Sequence, residues 1–93
     1  MSKRVLLADD ASFMRIMLKN ILEPAGFQIV GEASNGREAI ELYRKLKPDV
    51  FITDMIMPDI GGIDVVKEII KEFPDANIII CSAIGQQLSL IHI

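Results

Sequence analysis

The amino-acid sequence predicts an α/β fold, a parallel β-sheet with helices on both faces. Short apolar runs alternate along the chain with longer helical patterns, which is typical of βαβ units with right-handed crossovers. The run Val50–Ile52 is apolar throughout and is followed by Asp54, Pro58 and two glycines. Strands that are apolar on both faces are typical of parallel sheets. We therefore expect a parallel sheet built from βαβ units.

The composition is that of one small globular domain. The chain has 93 residues, of which 51% are hydrophobic and 25% are charged, so it can bury a core. A net charge of −3 provides no basic surface for a phosphate backbone, and we expect no direct nucleic-acid binding. The sequence shows neither a signal peptide nor an apolar run of membrane-spanning length. We therefore predict a cytoplasmic protein with no membrane partner.

The first half of the chain contains two predicted strands and the helix between them. The strand Val5–Ala8 is followed by Asp9 and Asp10, and the second strand covers Phe27–Ala33. The helix Ser12–Leu22 has an apolar stripe that consists of Phe13, Ile16, Met17 and Ile21. Further apolar positions widen this stripe, namely Met14, Leu18 and Leu22. We expect this helix to need cover on more than one side.

The second half continues the alternation. Asn35 and Glu38 resemble a capping box that opens a second helix, whose apolar face consists of Ala39, Ile40, Tyr43 and Leu46. A third helix is expected from Gly62 to Phe73, with an inward face of Ile63, Val66, Ile69, Ile70 and Phe73. The fourth strand is expected at Ile78–Cys81. Its single cysteine is expected to be a small buried apolar residue.

The last residues do not fit this pattern. Residues 88–93 contain no Asp, Glu, Lys or Arg, and their alternation suits a strand more than a surface helix. We expect residues 1–87 to form the domain and residues 88–93 to be a non-native or truncation tail. The alternative is the apolar start of a fourth helix.

Polar residues at three predicted strand ends point to a phosphate and metal site. Asp9 and Asp10 follow the first strand, Asp54 the third, and Ser82 the fourth. These ends share one edge of a parallel sheet, where ligands bind. Clustered carboxylates repel one another and require a cation or raised pKa values, and oxygen ligands suit Mg²⁺. Asp54 could then form an acyl phosphate as a nucleophile, with Ser82 as a hydrogen-bond donor.

Each of these residues alone has an ordinary explanation. Asp9 and Asp10 could cap a helix, Asp54 could form a turn, and Ser82 could be a loop residue. Their combination at neighbouring strand ends is what predicts the site.

Three segments and one glycine resemble the receiver domain of two-component response regulators, namely Leu6–Asp10, Ile52–Pro58, Cys81–Ala83 and Gly62. Further segments look like the single-domain chemotaxis regulators of the CheY type, namely Phe13–Arg15, Asn35–Ala39 and Cys81–Gln87. The resemblance covers residues 3–87 and implies a three-layer flavodoxin-like fold with strand order 2-1-3-4. It also implies a histidine kinase as the phosphodonor and a flagellar motor switch or other output protein as a partner.

The resemblance also implies a role for each site residue. Asp54 would be the phosphoacceptor and Ser82 the switch hydroxyl. Asp10 would ligate Mg²⁺ directly, Asp9 would act mainly through water, and the backbone carbonyl of Ile56 would complete the protein ligands. Such a domain is not an enzyme, although it assists its own phosphorylation and dephosphorylation.

The sequence departs from the receiver pattern at its C-terminal end. Receivers continue with a fourth helix, a fifth strand and a fifth helix, so we expect the fifth strand and fifth helix to be absent here. The missing part carries the family's invariant lysine and switch aromatic, and no lysine follows Lys71 in this chain. An exposed fourth strand and an open first helix would favour a homo-oligomer.

Two alternatives differ in function from a phosphoacceptor. The first is a truncated receiver fragment that keeps the fold and acidic pocket but acts only as an assembly or interaction module. The second is an enzyme of the haloacid dehalogenase kind, which also uses a strand-end aspartate. That class resembles Asp-x-Asp-x-Thr, and Ile56 takes the place of its second aspartate here, so we set it aside.

Overall fold

The β-sheet of this protein has five strands in the order β2-β1-β3-β4-β5. The computed structural model describes the backbone of residues 2–84 and 87–92 and the side chains of residues 2–81. The strands are β1 Arg4–Ala8, β2 Gln28–Ala33, β3 Val50–Asp54, β4 Ile78–Ile84 and β5 Gln87–His92. Strands β1 to β4 are parallel, and β5 is antiparallel to β4. The predicted order 2-1-3-4 is confirmed.

Three helices connect the parallel strands, namely α1 Ser12–Leu22, α2 Gly36–Leu46 and α3 Gly62–Glu72. Because side chains alternate along a strand, β1 contributes to two apolar cores. Leu6 packs in the core shared with α2 and α3, whereas Val5 and Leu7 pack on the other face of the sheet with Leu18 and Leu22 of α1. The predicted three-layer arrangement is therefore present.

The apolar tail forms a strand in the described backbone. Residues 87–92 pair with β4 in a ladder from Ile84↔Gln87 to Ile79↔His92. The edge of β4, which was expected to be exposed, is thus paired within the same chain. The alternative of a fourth helix is wrong, because alternating apolar residues suit a strand. The added strand is antiparallel and leaves the order of the first four strands unchanged.

Two strands are longer than predicted because their ladders continue. β3 extends to Asp54, which pairs with Cys81, and β4 extends to Ile84. Ser82 was expected at the end of the fourth strand, but it lies inside β4 opposite Ser89. This correction follows from the pairing of the tail, which continues β4 past Cys81.

The apolar stripe of α1 is largely open to solvent. Phe13 is 67% exposed, and the other members of the stripe are also exposed, namely Ile16, Met17 and Ile21. In α3, Ile63 was predicted to face inward, but it is 50% exposed. Val65 is fully buried in its place, whereas Val66 and Ile69 are buried as predicted, so α3 is rotated only slightly from the predicted orientation. No helix among the described residues has both the length and the apolar character needed to cross a membrane.

Candidate functional site

An acidic cluster lies at the C-terminal edge of β1 and β3. Asp9 and Asp10 directly follow β1, and Asp54 is the last residue of β3. These strands are parallel neighbours, so their ends meet. One carboxylate oxygen of each aspartate lies within 4.8 Å of the other two. The structure therefore brings the three predicted carboxylates together, while metal ligation itself remains a prediction.

The three aspartates differ in burial and in hydrogen bonding. Asp9 is buried, Asp54 is half-buried and Asp10 is exposed. The Ala11 N–H donates to Asp9 Oδ1 at 2.9 Å, and the Met55 N–H donates to Asp54 Oδ1 at 2.8 Å. Main-chain donors thus orient the two less accessible carboxylates.

The electrostatics of the cluster favour a bound cation. Burial raises the pKa of Asp9, and the charges of Asp54 and Asp10 add to this effect, against a hydrogen bond from Ala11. Burial also raises the pKa of Asp54, as does the charge of Asp10, although the main-chain N–H groups that follow Asp54 oppose the shift. A cation among the carboxylates would relieve this repulsion. The oxygen-only donor set fits Mg²⁺.

Apolar groups complete the small pocket at this cluster. A cavity of about 180 Å³ is lined by Ala11, Phe13, Met14 and Cys81 together with the three aspartates. Cys81 is a buried free thiol, and burial raises its pKa to about 11. It therefore stays protonated at neutral pH, which agrees with its prediction as a small buried apolar residue.

Two further predicted site residues are close in the chain to residues of this pocket. Ile56 is in the loop after β3 and is 77% exposed, and the role of its backbone carbonyl as a ligand stays a prediction. Ser82 is in β4, directly after Cys81. The side chain of Ser82 lies outside the described residues, and its role stays a prediction.

Arg15 is a residue of the site that the sequence analysis did not identify. Its Nη1 donates to the main-chain oxygen of Asp9, and its Nε donates to Glu32 at 3.2 Å. Lys19 pairs with the same Glu32 at 3.0 Å. The group ties α1 to β2 and to the turn that carries Asp9. Arg15 and Lys19 are four positions apart and therefore lie on the same side of α1, and this spacing was the signal available in the sequence.

Asp59 was missed as well. Its carboxylate accepts hydrogen bonds from the first N–H groups of α2, those of Gly36 and Arg37. Asp59 follows Pro58 and reads in the sequence as a turn residue. No local pattern indicates a partner 22 or 23 positions away.

Comparison with known proteins agrees with this geometry. Residues 5–92 match the model of the response regulator receiver domain. The chain is 57% identical over 92 residues to the chemotaxis protein CheY of Thermotoga maritima and covers 77% of that protein. It is 47% identical over 91 residues to CheY of Bacillus subtilis and covers 76% of it. Each alignment uses nearly the whole chain, 99% and 98% respectively.

A solved structure shares the fold. The CheX–CheY–BeF₃–Mg²⁺ complex of Borrelia burgdorferi contains a chain with a TM-score of 0.86 and 31% identity. The match covers 91% of this protein and 65% of that chain, so this protein spans slightly less than two thirds of the solved chain. The domain match, the relatives and the acidic strand-end cluster together show that this chain belongs to the response regulator receiver domain family and is of the chemotaxis type.

Proposed function

We propose that Asp54 accepts a phosphoryl group from a histidine kinase at a Mg²⁺ site formed by Asp9, Asp10, Asp54 and the Ile56 carbonyl. The observation that carries this proposal is the approach of three carboxylate oxygens to within 4.8 Å of one another. Such a cluster at the carboxyl ends of parallel strands is costly without a cation. Membership in the receiver family supports the same assignment.

The chemistry at Asp54 is nucleophilic. A carboxylate oxygen of Asp54 forms a bond to the phosphorus, the bond from phosphorus to the donor histidine nitrogen breaks, and the imidazole keeps the electron pair. Main-chain N–H groups hold the carboxylate in place, as the Met55 bond of 2.8 Å shows. When bound, Mg²⁺ offsets the negative charge of the carboxylate and the phosphoryl group. Asp9 and Asp10 hold that cation.

Ser82 is proposed as the switch hydroxyl, which donates a hydrogen bond to a phosphoryl oxygen of phosphorylated Asp54.

The partners follow from the family. A histidine kinase supplies the phosphoryl group, and an output protein, a flagellar motor switch or another target, reads the phosphorylated state. The solved Borrelia burgdorferi complex pairs a CheY with CheX, which supports a protein target. We expect the protein to be located in the cytoplasm. Cell fractionation tests this location.

The second candidate function is an assembly module without a working phospho-switch. The exposed apolar residues of α1 favour it, namely Phe13, Ile16, Met17 and Ile21. We propose a second copy of this chain as the occupant of that face, since a helix presenting such a stripe can bury it against its equivalent. Because β4 is already paired with β5, α1 is a better candidate for the self-association surface than the edge of β4.

Beryllofluoride, a stable mimic of the phosphoryl group, separates the two functions. With Mg²⁺ present, we expect it to raise the melting temperature of the wild type and to leave Asp54→Asn unchanged. A wild type that shows no response to beryllofluoride and Mg²⁺ would contradict the phosphoacceptor function and leave the assembly module. An equal response in Asp54→Asn would contradict the site assignment.

A further inference from the structure

The loop between β3 and α3, residues 55–61, carries Ile56 and links the acidic cluster to the rest of the fold. Its base is closed by the main chain, because the Gly62 N–H donates to the Met55 carbonyl at 2.8 Å. At its other side the loop contacts the beginning of α2. The carboxylate of Asp59 accepts hydrogen bonds across that contact.

Asp59 bonds the loop and the helix at the same time. Its Oδ1 accepts from the Gly36 N–H at 2.7 Å, and its Oδ2 accepts from the Arg37 N–H at 2.9 Å. Within the loop, Oδ1 also accepts from the Ile60 N–H at 2.7 Å. The carboxylate is therefore a hydrogen-bonded bridge between two segments.

The bridge is separate from the ordinary cap of α2. Asn35, at the N-cap position, accepts from the Glu38 N–H at 2.8 Å. Since the first N–H groups of a helix have no partners inside it, Asp59 satisfies two donors that Asn35 leaves. The hydrogen bond from Arg37, followed by those from Ile60 and Gly36, lowers the pKa of Asp59 to about 2. The bridge is therefore ionised at neutral pH.

Close packing supports the same contact. A Cβ atom added to Gly36 would lie 2.6 Å from the Ile60 carbonyl oxygen and 2.8 Å from Val65 Cγ2. Real Cβ atoms do not approach backbone so closely, so a side chain here would push the loop away from α2. The glycine lets the loop and the helix meet at the distance that the Asp59 hydrogen bonds require.

We propose that Asp59 is a positioning residue for the Mg²⁺ site, holding the loop against α2 so that the Ile56 carbonyl stays at the acidic cluster. This inference rests on the proposed function, because Ile56 is a ligand only in that assignment. Asp59 itself is not one of the proposed ligands. Residues that orient metal ligands typically contribute roughly 10–100-fold to metal affinity. We expect the lower end of that range, because Asp59 acts through the backbone.

The test compares Asp59→Ala with Asn35→Ala. Both variants remove a hydrogen-bond acceptor from the start of α2, but Asp59 alone also bonds the loop. Mg²⁺ affinity is measured by titration while the amide NMR signals of Met55 and Ile56 are followed. We expect Asp59→Ala to weaken Mg²⁺ binding roughly tenfold and Asn35→Ala to leave it nearly unchanged.

A metal-free measurement gives a second readout. In Asp59→Ala the Ile56 and Ile60 amide signals should shift, and the Gly36 amide should exchange faster with solvent. Asp59→Asn keeps one acceptor oxygen, so it should bind Mg²⁺ more tightly than Asp59→Ala but less tightly than the wild type. If Asp59→Ala does not fold, the comparison of Asp59→Asn with the wild type is the test.

The possible failures are distinguishable. If wild type binds Mg²⁺ and the Asp59 variants bind it equally well, or if Asn35→Ala weakens binding as much as Asp59→Ala, the positioning role is overturned and the proposed function stands. Unchanged Ile56 signals in metal-free Asp59→Ala would overturn it as well. If the wild type binds no Mg²⁺, the proposed function and the positioning role fall together.

Discussion

At the residue scale, Gly62 determines how closely α3 approaches the acidic cluster. A Cβ atom at Gly62 would lie 2.1 Å from the main-chain oxygen of Asp54, whereas at Gly61 the nearest atom is 3.6 Å away. We expect Gly62→Ala to lower the free energy of unfolding by roughly 1–3 kcal/mol, because the added methyl group has no room beside the main chain of Asp54. Gly61→Ala is the matched control and should be tolerated. Urea unfolding of the two variants measures the difference, and equal stabilities would contradict the close approach.

Asp54 also affects stability through its ionisation. Its pKa is raised above 3.8 in the folded state, so the folded protein binds this proton more tightly than the unfolded chain does. Ionised Asp54 therefore destabilises the metal-free fold at neutral pH, and this penalty disappears as the pH falls towards and below 3.8. We expect metal-free Asp54→Asn to be more stable than wild type at pH 7. The difference in stability between the two proteins should shrink as the pH is lowered. Thermal unfolding at several pH values measures it, and a difference that stays constant would contradict the raised pKa of Asp54.

Much of the site could be predicted at this scale. Asp9, Asp10 and Asp54 were found because each follows an apolar run, and parallel strands bring their carboxyl ends together. The partners of Asp59 could not be found, because its hydrogen bonds to Gly36 and Arg37 depend on tertiary packing. Sequence patterns report local periodicity, and a carboxylate that caps a distant helix has none.

At the element scale, α1 is the helix with the most exposed apolar surface among the described residues, and it carries the prediction of self-association. Ile21 is 61% exposed, so Ile21→Lys should change the unfolding free energy by no more than about 0.5 kcal/mol. It should nevertheless reduce association by placing a charge in the apolar stripe. Ile63→Lys makes the same substitution at another exposed isoleucine, on α3 and outside that stripe, and is the control. Light scattering at increasing protein concentration measures the association.

A wild type that stays monomeric at all concentrations would contradict assembly through α1. Equal loss of association in both lysine variants would assign the effect to net charge instead of the apolar face.

The helices differ in how far the sequence predicts them. The start of α2 followed from Asn35 and Glu38, and the predicted cap is present with a 2.8 Å hydrogen bond. For α3, Val66 and Ile69 were correctly predicted to face inward. The choice between Ile63 and Val65 did not follow, because both are apolar and periodicity alone did not decide which one faces the sheet. Likewise, alternation in the tail indicated a strand, but its pairing with β4 depended on the free edge of the sheet.

At the scale of the whole molecule, Mg²⁺ should stabilise the fold. A ligand that binds the folded state alone raises the unfolding free energy by about 1.4 kcal/mol at tenfold excess over its dissociation constant. The effect should weaken at acidic pH, starting above pH 3.8, because the pKa values of Asp9 and Asp54 are both raised and protonated carboxylates do not bind the cation. Thermal unfolding with Mg²⁺ and with chelator at several pH values measures this. A Mg²⁺ effect that is equal in Asp54→Asn would contradict the assembled site.

The central claim is that the acidic cluster makes Asp54 a Mg²⁺-dependent phosphoacceptor. The most direct test is intact-mass spectrometry after incubation with a small phosphodonor, with Mg²⁺ or with chelator, on the wild type and on Asp54→Asn. We predict that the wild type gains the mass of one phosphoryl group with Mg²⁺, and that neither the chelated wild type nor Asp54→Asn gains it. A wild type without any adduct, or an equal adduct on Asp54→Asn, would contradict the claim.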